Sequence, residues 1–191
     1  PTLGRLIAAV GPCAIEQRPA EGVFVGLARA VAFQQLAGRA AETIWGRVTA
    51  LFPEGVTPAA VRAMPGERLR AAGLSAAKVS TLHDLAEKAL AGVVAETPTL
   101  AGLSDAEVIA RLTAVRGIGP WSVEMLLIFG LGRRDVLPVT DFGVRKGFQW
   151  LYGRAELPTP RELAAHGERW RPYRSVATWY LWRALDRLRG A

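Results

Sequence analysis

Between Leu112 and Leu127 two helical apolar runs meet at Arg116-Gly117-Ile118-Gly119-Pro120-Trp121, and no other feature of the chain narrows its folding options as much. A helix that ends at Val115 has to reverse within Arg116 to Gly119 before the run Ser122-Val123-Glu124-Met125-Leu126-Leu127 begins. The two glycines permit positive φ and close backbone approach, and Ile118 between them can plug the gap between the helices. The reversal leaves the first amides of the second helix without intrahelical partners, which is the arrangement that receives a phosphate oxygen. A plain helix–helix turn has the same signature. If the turn does bind nucleic acid, it reads the backbone and not the bases.

Almost every other strong signal is also helical. From Val23 to Leu51 the residues Leu27, Val31, Leu36, Ile44, Val48 and Leu51 recur at helical intervals, with a bend expected at Gln34-Gln35 and Gly38. Thr57-Pro58 and Thr159-Pro160 each read as an N-cap followed by proline at the first helical position. Ser75 opens a helix expected to run to about Ala91, and Ser104 with Glu107 forms a capping box ahead of Val108, Leu112 and Val115. Gly92 to Pro98 is the best candidate for a longer connection, and Val93-Val94 within it is a candidate short extended piece. No repeat or strand pair is evident. An all-α bundle follows, with 191 residues at 50% hydrophobic composition supplying an ample core.

The 24 Lys+Arg against 17 Asp+Glu leave a formal charge of +7, which favours a polyanionic partner or an anionic membrane surface. No run approaches the roughly 18 apolar residues of a membrane span, and the first residues lack the pattern of a secretion signal. The expected location is therefore cytosolic, or nuclear in a cell with a nucleus. The single Cys13 excludes an intramolecular disulfide, a thiolate zinc site and a four-cysteine iron–sulfur cluster within the chain, and reads as a small apolar side chain. His83 and His166 are too isolated to suggest a metal pair and read as surface or supporting residues.

The segment Asp135-Val136-Leu137-Pro138-Val139-Thr140-Asp141 leads into a helix carrying Val144, Phe148 and Trp150. Asp141 stands at its start, the position of an N-cap aspartate. The same carboxylate can also face a nucleotide. Cleaving an N-glycosidic bond develops positive charge on the sugar, which a fixed anion stabilises while it orients or deprotonates water.

Taken together, the residues resemble the helix-hairpin-helix DNA glycosylase superfamily, and within it the DNA-3-methyladenine glycosylase II branch. The resemblance rests on Phe33-Gln34-Gln35-Leu36-Ala37-Gly38-Arg39-Ala40-Ala41, on Leu69-Arg70-Ala71-Ala72-Gly73-Leu74-Ser75-Ala76-Ala77-Lys78, on the hairpin, on the Asp141 segment and on Trp170-Arg171-Pro172-Tyr173-Arg174-Ser175. These stretches cover almost the whole chain in family order. The resemblance implies one domain over residues 1–191, built from two packed helical subdomains, with the hairpin at about 112–125 and the catalytic segment at about 135–150. It also implies the compact form that lacks the β-rich N-terminal domain of some relatives.

By the same resemblance, Asp141 is the catalytic aspartate, and the carbonyls of Thr113, Val115 and Ile118 are candidate ligands for a structural Na+ or K+. No cofactor is needed for the chemistry. Superfamily members that nick the strand carry a lysine nucleophile just after the second hairpin glycine; here that position is Trp121, so a monofunctional enzyme that leaves an abasic site is expected. Trp121, Phe142 and Trp182 are candidate walls of the base pocket, where electron-rich rings suit cationic alkylpurines; core packing is the competing reading for both tryptophans. Phe142 departs from the tyrosine of bacterial relatives. Gln35 or Leu36 is the candidate wedge that fills the vacated stack, with Gln34 supporting it, and a bend in a surface helix is the alternative. Arg116, Gly117, Gly119, Arg145 and Lys146 are candidate phosphate contacts, with Arg133, Arg134, Arg171 and Arg174 as further basic candidates, and a solvated charge or local ion pair is the competing reading for Arg133, Arg134, Arg145, Lys146, Arg171 and Arg174. The expected partner is double-stranded DNA carrying alkylated purines such as 3-methyladenine and 7-methylguanine, bound by a monomer without membrane contact. A non-catalytic DNA-binding module and a glycosylase for oxidised or deaminated bases are the competing readings.

Overall fold

The computed structural model describes residues 2–17, 21–36 and 38–190, except for the side chains of 188–190. Ala37, in the stretch quoted above, lies outside them. Among the described residues all regular structure is helical. In chain order the α-helices are α1 (Thr2–Val10), α2 (Gly22–Phe33), α3 (Gly38–Thr49), α4 (Pro58–Ala63), α5 (Gly66–Ala71) and α6 (Ala76–Leu90). They continue as α7 (Thr97–Ala101), α8 (Asp105–Leu112), α9 (Pro120–Met125), α10 (Phe142–Leu151), α11 (Pro160–Gly167) and α12 (Arg174–Gly190). The chain forms two compact units, one over 21–131 and one combining 2–17 with 132–190.

In the first unit α2 is the central element, lying against α3, α6 and α9. Its buried residues include Leu27 and Val31, and α6, which packs against it, buries Leu82 and Leu85. The bend expected near Gln34 is present, since α2 stops at Phe33 and α3 starts at Gly38. Beyond α9 the helix widens into one π-turn over Leu126–Gly130, closed by the Leu131 amide on the Leu126 carbonyl at 2.9 Å. A side chain on Gly26 or on Gly130 would press on Leu126, so both glycines make room for that leucine.

The caps form as expected. Thr57 Oγ1 accepts from the Ala60 amide and Ser75 Oγ from the Lys78 amide, and Ser104 with Glu107 completes a capping box. Val93-Val94 does not form an extended piece. The Val93 amide closes back onto the Lys88 carbonyl at 2.9 Å and the Gly92 amide onto Ala89 at 3.1 Å, with Gly92 at φ 74°. That is a Schellman ending for α6, and it uses the amides a strand would need.

The second unit packs α10 against α12, with α1 alongside α12. Gly147 makes the first contact possible, because a Cβ there would lie on the Leu181 carbonyl. Leu137, Val144, Phe148, Leu163 and Leu181 form its core, and Leu6, Tyr180 and Ala184 form a smaller cluster against which Cys13 packs. Burial pushes the Cys13 thiol up, consistent with an inert apolar side chain. Thr159 and Glu162 make the second capping box, ahead of α11.

Candidate active site

The carboxylate end is built from α10 and α12. Asp141 caps α10, with Oδ1 accepting from the Val144 amide at 2.7 Å. The same oxygen accepts from Trp182 Nε1 at 3.0 Å. Two donors from different helices therefore fix the half-buried carboxylate. Gly143 keeps the space beside it open, since a Cβ there would stand 3.1 Å from both Asp141 Oδ1 and the Trp182 ring. Phe142, next to Asp141, is 62% exposed, so it is an available aromatic face and not a core residue. Trp182 is half-buried and has a polar duty beyond the wall role expected of it.

The hairpin belongs to the first unit. The helix before it stops at Leu112, three residues earlier than expected, and the next one starts at Pro120, two earlier than Ser122. Only one of the two glycines needs its conformational freedom. Gly117 has φ 78°, and a side chain on it would run into Thr81 on α6. Gly119 is extended at φ −100°, and a Cβ on it would meet nothing within 4 Å. Its value is an uncovered backbone, which suits the approach of a large anion. Ile118 is buried as the plug and Trp121 is half-buried. Arg116 is folded onto α6, its amide donating to Asp84 Oδ2 and its guanidinium to Ser80 Oγ, each at 2.8 Å.

The carbonyls of Thr113, Val115 and Ile118 all lie in the non-helical turn between α8 and α9, outside the helical hydrogen-bond ladder. Val115 O also accepts from the Ile118 amide at 3.1 Å. Neutral oxygens of this kind fit a hard alkali cation, and among the described residues no cluster of His, Cys, Asp or Glu suits another metal.

The wedge segment follows α2. Gln35 sits at φ 57°, the one non-glycine in the left-handed region among the described residues, a conformation that costs about 1–2 kcal/mol. Gln35 and Leu36 are both exposed, Leu36 at 39%. Gln34 is turned inward, its Nε2 donating to the Gly117 carbonyl at 3.0 Å and to Ser122 Oγ at 2.9 Å. Lys78 Nζ donates to the Ala32 carbonyl at 2.9 Å and to the Gln34 carbonyl at 2.8 Å, and partial burial lowers its pKa. Lys78 was not singled out for any role from sequence. A cation at the third residue of α6 gives no local sign that it closes the end of a helix more than forty residues earlier.

Other basic candidates are differently placed. Arg145 Nε donates to the Pro158 carbonyl and Lys146 Nζ to Gln149 Oε1, both at 2.8 Å. Arg171 and Arg174 form local ion pairs, the competing reading for them: both bind Asp135, at 2.7 Å each, and Glu168, so they brace the start of α12. Burial opposes the Asp135 carboxylate, but its contacts with Arg174 and Arg171 outweigh burial and hold it below the usual range. His166 is half-buried. It packs edge-on against Phe148, Tyr152 and Trp170, its buried Nε2 lacks a hydrogen-bond partner, and burial with nearby Arg169 and Arg154 lowers its pKa.

Comparison with known proteins matches residues 28–172 to the model of the HhH-GPD superfamily base excision DNA repair proteins. DNA-3-methyladenine glycosylase 1 of Schizosaccharomyces pombe is 42% identical over 159 residues, 82% of this chain and 70% of that protein. The structure of the S. pombe 3-methyladenine DNA glycosylase in complex with abasic DNA superposes with TM-score 0.92 at 38% identity, over 96% of this chain and 90% of that one. A DNA-3-methyladenine glycosidase from Bacillus halodurans superposes with TM-score 0.80 at 35% identity, over 99% and 86% of the two chains. With an all-helical architecture and a match spanning the hairpin and the Asp141 segment, this chain belongs to the HhH-GPD superfamily of base excision DNA repair proteins.

Proposed function

We propose that this protein is an alkylbase DNA glycosylase that flips a damaged purine out of duplex DNA and hydrolyses its N-glycosidic bond with Asp141. The observation that carries the reading is the Asp141 carboxylate pinned by the Val144 amide and the Trp182 indole. An anion held in place before the reaction stabilises positive charge developing at the sugar without paying for reorganisation. As the C1′–N bond breaks, its electron pair leaves with the base. Water adds to C1′, and its proton passes by way of the carboxylate to solvent. Cationic bases such as 3-methyladenine and 7-methylguanine leave as neutral molecules, so no separate general acid is required. With Trp121 where strand-nicking relatives would have lysine, the product is an intact abasic site.

On this reading Trp121, Phe142 and Trp182 contact the flipped base, and Gln35 with Leu36 fills its place in the stack. Gly117, Gly119, Arg116, Arg145 and Lys146 face phosphates. A Na+ or K+ on the carbonyls of Thr113, Val115 and Ile118 would add fixed positive charge beside a phosphate. The protein works as a monomer wherever the DNA is, in the cytoplasm with the nucleoid or in a nucleus. Asp141→Asn tests the proposal. Single-turnover release of 7-methylguanine is expected to fall by about 10²–10⁴-fold, with duplex affinity kept within a few-fold. Unchanged release would refute the assignment. Borohydride trapping of a covalent protein–DNA adduct would refute the monofunctional reading.

A further inference from the structure

We infer that Gln34 and Lys78 are positioning residues that lock the wedge to the phosphate-binding hairpin, so that engaging the backbone drives the wedge into the stack. The inference rests on the wedge and hairpin roles proposed above. Its basis is one continuous set of contacts inside the first unit. Gln34 ends α2 with its side chain on the hairpin, at the Gly117 carbonyl and the Ser122 hydroxyl. Its own carbonyl, with that of Ala32, is held by Lys78. One turn further along α6, Thr81 lies against Gly117, and Ser80 and Asp84 hold Arg116.

The stretch of α6 from Lys78 to Asp84 thus carries both devices, and Gln34 closes the circuit between them. The next residue, Gln35, is the one held at positive φ. A strained, exposed residue directly after a doubly anchored one has its direction set by that anchor. If the anchor is cut, the wedge can relax away from the stack while the hairpin still grips phosphate. Coupling of this kind separates two steps that a merely structural residue would affect together, namely holding the duplex and opening it.

The experiment uses the full chain and three variants, Gln34→Leu, Gln34→Glu and Lys78→Met. Affinity for an undamaged duplex reads the grip. Fluorescence of 2-aminopurine opposite a tetrahydrofuran abasic analogue reads wedge insertion, and single-turnover release from a 7-methylguanine duplex reads the outcome. Q34L and K78M are expected to lose at least tenfold in release at saturating enzyme, together with most of the 2-aminopurine signal, while duplex affinity changes less than threefold. In Q34E the ionised carboxylate repels the Gly117 carbonyl and the protonated one donates to it. Its insertion signal at neutral pH should therefore be lost as in Q34L, because a glutamate of ordinary pKa, about 4.3, is ionised there. Release and insertion within twofold of wild type in folded Q34L and K78M would overturn the coupling, as would equal losses in affinity and insertion. A wild type that releases no base, yet loses insertion in Q34L, would overturn the glycosylase reading and leave the coupling standing.

Discussion

Asp141 was legible from sequence because an N-cap is a local pattern: the aspartate and the Val144 amide that it binds are three residues apart. Its second partner was not. Trp182 lies 41 residues away on another helix, and no periodicity announces an indole N–H aimed at a carboxylate. Sequence placed Trp182 in the pocket as an aromatic face; the structure adds the hydrogen bond. The two duties separate in Trp182→Phe, which keeps a ring and deletes the donor. A hydrogen bond to a charged group is worth about 1.5–3 kcal/mol net, so base release should fall about 10- to 100-fold while affinity for undamaged duplex holds. Full activity in that variant would show that the indole donor is dispensable. The same limit hid Lys78 and the inward turn of Gln34, whose partners are 44 to 88 residues distant.

Whole elements were easier to foresee than their junctions. The capping box at Ser104, the N-cap at Thr159 and the Gln34 bend were written in short motifs, whereas the π-turn after α9 and the tight crossing of α10 on α12 depend on what packs opposite. Gly147 marks that crossing. Gly147→Ala places a methyl group on the Leu181 carbonyl, an overpacking that costs about 1–3 kcal/mol and lowers the melting temperature by several degrees. Gly46→Ala in α3 meets no atom within 4 Å and should stabilise by up to about 0.5–1 kcal/mol through helix propensity. Calorimetry on the two variants checks both signs. The α11 cap gives a pH signature. The Thr159 backbone amide first, then Arg154 and the Thr159 hydroxyl, lower the Glu162 pKa from its ordinary 4.5 to about 2. A depressed carboxylate stabilises the fold above its unfolded pKa and loses that contribution as pH falls through the folded one. The melting difference between wild type and Glu162→Gln should thus be fullest at neutral pH and close between about 4.5 and 2.

At the scale of the molecule, a charge of +7 suggested a polyanion but could not say which cations would meet it. Sequence treated the arginines near the hairpin and in the last helices as equivalent candidates, because only folded neighbours decide whether a guanidinium is already satisfied. Arg171 and Arg174 are committed to Asp135 and Glu168, and Arg154 to Glu162. Lys146, by contrast, donates to the neutral amide of Gln149, which does not cancel its charge. Counterion release makes this division measurable. The slope of log affinity against log salt falls by about 0.9 for each phosphate that a cation neutralises. Titrating an undamaged duplex at several salt concentrations, Lys146→Gln should reduce the slope by about 0.9, and Arg171→Gln should leave it within about 0.3 of wild type. Arg171→Gln should instead lower thermal stability slightly, since an exposed pair contributes at most about 1 kcal/mol. An Arg171→Gln slope that drops as far as that of Lys146→Gln would mean that DNA takes the guanidinium away from Asp135, and that the brace on α12 opens when the protein binds.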